Sequence, residues 1–200
     1  LFCLFYNKNL WLLLLLLVSI ISFFEFSKLI NKIFKNRNIS IALINLTTLF
    51  YLIFFTFSAY DLAEVNVNIF FVILVCIFSD IGGYVVGKTV GGKKLTKISP
   101  NKTVSGSIGS FVFSFIPLFI FSILFYEKIN SLFINLIFLS IFISLISQVG
   151  DLFISFFKRK AGVKDTGNIL PGHGGILDRI DGMIFAIPMT FIFNEMFLKL

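Results

Sequence analysis

Six runs of mostly apolar residues divide the chain, over 10–30, 41–60, 69–86, 104–126, 131–150 and 180–198. About twenty residues of helix rise roughly 30 Å, the thickness of a bilayer's hydrocarbon core. Within that core every backbone N–H and C=O must be bonded inside the protein, which a helix achieves by itself. The runs therefore predict an all-α fold: a polytopic integral membrane helical protein with about six transmembrane helices. Composition agrees, since 14% of residues are charged, against roughly 25% in a soluble domain. The 29 phenylalanines come with abundant Ile, Asn and Lys. That is the bias an AT-rich genome leaves, and it carries no functional weight.

Within the runs, Trp11 is predicted to anchor at the membrane interface. Glu25 sits inside the first run and is placed near the interface, with a polar role facing another helix as the alternative. Asp80, Gly82 and Gly83 are predicted to break the second half of the third run, and Pro117 to kink the fourth. Cys3 and Cys76 sit in apolar contexts without metal-ligand spacing and read as free thiols. No small-residue cleavage site follows the first run, which argues against a cleaved signal peptide.

The bases segregate. Loops 31–40, 88–103 and 155–181 alternate along the chain and hold 13 of its 17 Lys and Arg residues. Positive charge marks cytoplasmic loops, so these loops are predicted to face the cytoplasm, with both chain ends outside. The same asymmetry accounts for the formal charge of +7 without a nucleic acid partner. No repeat, linker or soluble domain is evident. The division expected is residues 1–66 as N-terminal transmembrane helices and 67–200 as a catalytic transmembrane region with cytoplasmic loops 88–103 and 155–181.

The polar exception lies between the last two apolar runs, QVGDLFISFFKRKAGVKDTGNILPGHGGILDRIDG over 148–182. If the fifth helix continues past Gly150, then Asp151, Ser155 and Lys158 or Arg159 share one face. Asp178 and Asp181, three apart, share a face if the sixth helix begins there. Facing carboxylates suit Mg²⁺, which takes one or two protein carboxylates plus phosphate oxygens and water. Nearby bases would hold the remaining phosphate charge. All 14 glycines lie between Gly82 and Gly182. Gly106 and Gly109 read as helix-packing positions, whereas Gly172, Gly174 and Gly175 surround His173 in a loop.

The loop before the fourth run, SDIGGYVVGKTVGGKKLTKISPNKTVSGSIGS over 79–110, repeats the theme. Lys102 and Thr103 precede a helix whose free N–H groups attract phosphate, without P-loop spacing. The residues alone point to a membrane enzyme or transporter that handles a phosphate compound with a divalent metal.

The string S-F-F-K-R-x4-K-D-x-G-x-x-L-P-G-H-G-G-x-x-D-R-x-D, from Ser155 to Asp181, resembles the hallmark of the phosphatidate cytidylyltransferase (CDP-diacylglycerol synthase) family. Residues 79–84 and 99–103 resemble the family's other signature stretches. The resemblance implies a reaction in phospholipid biosynthesis, CTP plus phosphatidate giving CDP-diacylglycerol and diphosphate. It also implies Mg²⁺, with a second cation such as K⁺ allowed for. Asp151, Asp178 and Asp181 would be metal ligands, and Lys158, Arg159, Lys164 and Arg179 would hold phosphates. Asp165 and His173 complete the catalytic set. Asp80, Ser99, Lys102, Thr103 and Ser155 would bind substrate.

The resemblance further implies a multi-pass protein of the inner (plasma) membrane with its site facing the cytoplasm. It allows for a homodimer and for further spans before Leu1. Two departures stand out: Ser105 and Ile154 occupy positions where the family often has Glu. A CTP-dependent polyprenol or phytol kinase is the rival enzyme reading. A phosphate-compound transporter is the rival from another class.

Overall fold

The computed structural model describes residues 7–35, 37–64, 66–96, 98–124, 133–169, 172 and 174–195. Helix α1 spans Lys8–Ile33, α2 Asn38–Leu62 and α3 Asn66–Val90. The fourth run forms two helices, α4 Val104–Phe113 and α5 Phe115–Leu124. Helix α6 spans Phe133–Lys160, α7 Leu177–Ile180 and α8 Met183–Phe193. Five membrane-crossing segments are long and apolar enough among the described residues, with α4 and α5 counted together, and α8 is a shorter apolar helix. The chain is thus a multi-pass, all-helical membrane protein. The predicted sixth run, 180–198, corresponds to α8, and its last residues lie outside those described. Residues 127–130, which the sequence places in a tight turn between the fourth and fifth runs, also lie outside those described.

Large apolar side chains such as Leu13, Phe24, Leu43, Phe50 and Ile123 face outward. A bilayer offers these the apolar surroundings that water would not. Between helices, polar contacts add to the packing. The Ser19 and Thr56 hydroxyls meet at 2.8 Å across α1 and α2. Ser79 and Ser144 meet at 2.8 Å across α3 and α6, and the Tyr51 hydroxyl donates to Ile184 O at 3.0 Å. Trp11 is not exposed at an interface as expected. It is 6% exposed, and its indole N–H donates to Ala59 O at 3.3 Å.

Helix α3 does not break at Gly82–Gly83. It runs on to Val90 because those glycines serve helix packing. A Cβ on Gly82 would lie 2.5 Å from Gly109 O, and one on Gly109 would lie 2.5 Å from Val86 Cβ. Glycine costs each helix about 1 kcal/mol relative to alanine and is retained where backbones must touch. The helix of the fourth run, expected to kink at Pro117, is interrupted at Ser114, one turn earlier. Pro117 lacks the N–H that would bond Phe113 O, and its ring crowds that carbonyl. Helix α6 extends ten residues past Gly150 to Lys160, carrying Asp151, Ser155 and Lys158 beyond the apolar run.

Candidate active site

The α3–α4 connection folds back on itself. Gly91 and Gly92, at φ 63° and 107°, turn the chain off α3 in a conformation glycine adopts without a Cβ penalty. Leu95 N–H then donates to Lys102 O at 2.8 Å, and Val104 N–H to Lys93 O at 3.0 Å. This returns Lys102 and Thr103 to the start of α4, where the Thr103 hydroxyl caps the helix by accepting from Gly106 N–H at 3.0 Å. Ser105 donates to Gly91 O, tying the end of α3 to the start of α4. A glutamate there could not donate that bond when ionised.

Under this turn lies a cavity of about 350 Å³ whose lining includes Asp80, Ser99, Lys102, Thr103, Gln148 and Asp151. The Lys102 ammonium pairs with Asp151 Oδ2. Gln148 forms part of the wall, accepting from Ser107 Oγ at 2.5 Å and donating to Ser144 Oγ at 3.3 Å. Asp80 is exposed and lines the same space.

Behind Asp151, on the α6 face that was expected, Ser155 Oγ donates to Asp151 Oδ1 at 3.2 Å. The Asp181 carboxyl lies near enough to Asp151 to feel its charge and accepts from Gly182 N–H at 2.8 Å. Burial pushes the Asp181 carboxyl up to about 8, and the charge of Asp151 adds to the shift against the pull of Lys158. Two neighbouring buried carboxyls cannot both ionise cheaply without a cation, so this pair has the chemistry of a cation seat.

Asp178 is engaged differently. Its Oδ1 accepts from Lys158 Nζ at 2.8 Å, with side chains only 12% and 8% exposed. Its Oδ2 accepts from Thr166 N–H at 2.8 Å and Gly175 N–H at 3.0 Å, with the Thr166 hydroxyl also 3.0 Å away. Burial alone would raise this carboxyl. The Lys158 hydrogen bond, the two amides and the Lys158 charge outweigh burial and hold it below the usual carboxylate value. Asp178 therefore organises the chain around it, while Asp181 turns to α6. Among the described residues, no three His, Cys, Asp or Glu side chains come together as a ready ligand set. The expected trio of Asp151, Asp178 and Asp181 is not assembled at one point.

The other sequence candidates are spread more widely. Arg159, Lys164, Asp165 and Arg179 are exposed, and His173 lies outside the described residues. Ile154, where a family carboxylate was expected, is 3% exposed. It lines an apolar cleft of about 300 Å³ with Tyr51, Phe157, Leu177 and Phe185. For Glu25 the interface position preferred from the sequence does not hold, and the helix-facing alternative does. Glu25 is fully buried and accepts from Ile176 N–H at 3.1 Å, Leu177 N–H at 2.8 Å and the Thr166 hydroxyl at 3.0 Å. An ionisable residue inside an apolar run was the available signal.

A family model described as "Cytidylyltransferase family" matches residues 1–197. The chain is 42% identical over 130 residues to a phosphatidate cytidylyltransferase of Bacillus subtilis, covering 64% of this chain and 48% of that one. It is 44% identical over 128 residues to the Rickettsia bellii protein of the same name, covering 60% and 54%. A third, from Helicobacter pylori, is 41% identical over 121 residues, covering 60% and 44%. The chain spans about half the length of these curated relatives.

Proposed function

The chain belongs to the cytidylyltransferase family, and from that we propose that it joins CTP and phosphatidate to give CDP-diacylglycerol and diphosphate. The observation that carries this reading is the cavity in which residues of both signature stretches, 79–84 and 99–103, meet Asp151. A chamber with a largely apolar surface and the charged groups Asp80, Lys102 and Asp151 in its lining suits two substrates of which one is soluble and the other lies in the leaflet.

In the proposed reaction a phosphatidate phosphate oxygen attacks the α-phosphorus of CTP. The bond from that phosphorus to the bridging oxygen breaks, and diphosphate leaves with the electron pair. The nucleophile is already an anion, so no strong base is required, and positioning and electrostatics carry the rate. Lys102, at the cavity wall beside the start of α4, offsets triphosphate charge. Lys158 is held beside Asp178 and acts on Asp181, which adds positive charge behind the carboxylates.

The family is metal-dependent. Here Asp151 and Asp181 are the residues proposed to hold Mg²⁺, with a second cation such as K⁺ allowed for. When bound, the metal would screen the anionic charge of the two substrates. Arg159, Lys164 and Arg179 remain proposed phosphate contacts. The proposed setting is the plasma membrane with the site facing the cytoplasm, because the bases fall in the loops at that end. A cysteine replacing Lys94 should be labelled only from inside sealed cells, and labelling from outside would reverse this orientation.

The deciding experiment supplies purified protein with phosphatidate, Mg²⁺ and CTP labelled in the cytidine. The expected result is label in the lipid product. Free labelled CDP with phosphorylated lipid would identify a kinase instead, and equal turnover of ATP would overturn the assignment.

A further inference from the structure

Glu25 is 1% exposed inside α1, and no step of the proposed reaction uses it. Its carboxylate joins the two limbs of the chain between α6 and α8. Thr166 on the incoming limb donates its hydroxyl to Oε2 at 3.0 Å. On the outgoing limb, Ile176 N–H donates to Oε1 at 3.1 Å and Leu177 N–H to Oε2 at 2.8 Å. Two glycines make the approach possible. A Cβ on Gly167 would lie 2.5 Å from Glu25 Oε1, and one on Gly175 would lie 2.6 Å from Glu25 Cδ. A carboxylate buried in a membrane helix is costly unless partnered, and these three donors all come from one stretch, 141 to 152 residues away.

We propose that Glu25 is a positioning residue, a post on the first membrane helix that sets the chain segment bearing Asp178 and Asp181. For its effect on turnover the proposal rests on the cytidylyltransferase reading. The route is short. The Thr166 hydroxyl stands 3.0 Å from Glu25 Oε2 and 3.0 Å from Asp178 Oδ2. Leu177, held by Glu25, directly precedes Asp178 and opens α7, whose far end is capped by Asp181. Loss of the post frees both limbs at once, and Asp181 loses its fixed place against Asp151. Helix α1 thereby becomes part of the working site, across the expected division at residue 66. Glu25 is not among the residues lining the cavity that holds Lys102 and Thr103, so its replacement leaves that lining in place.

The test uses the full chain in lipid nanodiscs, with a nitroxide on Asn168→Cys, an exposed position beside Gly167. Cys3→Ser removes one native thiol, and Cys76 is fully buried. The label's mobility, kcat and KM for CTP are compared in wild type, Glu25→Ala, Glu25→Gln and Ser19→Ala. Ser19 is a buried hydroxyl on the same helix that bonds Thr56 instead. Glu25→Ala should mobilise the label and lower kcat by about a hundredfold, the scale of a catalytic group displaced by about an ångström. Glu25→Gln keeps one acceptor oxygen and should show an intermediate form of both effects. KM for CTP should hold, and Ser19→Ala should resemble wild type.

If Glu25→Ala fails to fold, Glu25→Gln carries the comparison. An immobile label in the Glu25 variants overturns the proposal. So does a mobile label with wild-type kcat, or an equal effect from Ser19→Ala. A wild-type protein that puts no cytidine into lipid would instead sink the cytidylyltransferase reading, and the label would then decide alone whether Glu25 holds the segment.

Discussion

Replacing Asp178 with Asn separates a structural carboxylate from a purely catalytic one. The asparagine carbonyl can keep the Thr166 and Gly175 amides, which both address one oxygen of Asp178. Its amide N–H₂ then faces Lys158 Nζ, which now donates at 2.8 Å to the other oxygen. Two donors cannot bond, and Lys158 is left buried with its partner gone. Removing one member of a buried ion pair costs about 3–5 kcal/mol. Because the two amide bonds survive, about 3 kcal/mol is the expected loss. The assay is SDS-induced unfolding in mixed micelles.

A second variant isolates the cause: adding Lys158→Met to Asp178→Asn should recover most of the stability without recovering turnover. Turnover should fall about a hundredfold in both, about 2.7 kcal/mol of transition-state stabilisation, since the same segment positions Asp181. The sign of the pH effect follows from a folded-state value held below the ordinary carboxylate one. The stabilisation is complete above the unfolded value of about 3.9 and is lost as pH falls through the lower folded value. Asp178→Asn should lack that acid-sensitive component. Stability within about 1 kcal/mol of wild type, below the cost of any broken buried pair, would refute the reasoning. A loss that Lys158→Met does not relieve would also refute it.

Lys102→Met should lower kcat/KM for CTP about a hundredfold. Its pair with Asp151 is 28% and 26% exposed, so its loss should change unfolding by less than about 1 kcal/mol; a large stability loss with normal CTP kinetics would place Lys102 outside the substrate site. Gly109→Ala sets a Cβ 2.7 Å from Gly82 O and should destabilise the α3–α4 crossing by about 1–3 kcal/mol. Gly87→Ala meets nothing nearer than Thr103 Oγ1 at 3.0 Å and Gly106 Cα at 3.4 Å and should cost less; the opposite order in SDS unfolding would contradict the packing account.

What the sequence could reveal follows from how far each interaction reaches along the chain. Helices are written locally, so hydropathy located the membrane segments, and helical spacing put Asp151, Ser155 and Lys158 on one face of α6. Glycine is ambiguous in one dimension. At Gly82 and Gly83 the sequence suggested a broken helix, and only the facing Gly106 and Gly109 reveal two intact helices in contact. The spacing of Asp178 and Asp181 suggested a shared duty. It could not show that α7 ends after four residues, with one carboxylate turned to its own loop and the other to α6.

Glu25 was beyond reach for a different reason. Its partners lie at least 141 residues away, and two of the three are backbone amides, which every residue but proline possesses. No side-chain pattern announces such a contact. What can be read is the cost: a carboxylate in an apolar helix must be compensated somewhere. In this chain the compensation is a glycine-flanked segment that needs an acceptor at both limbs. The buried acid and the polar stretch therefore solve each other's problem, which is why a helix from the opposite end of the sequence stands under the candidate site.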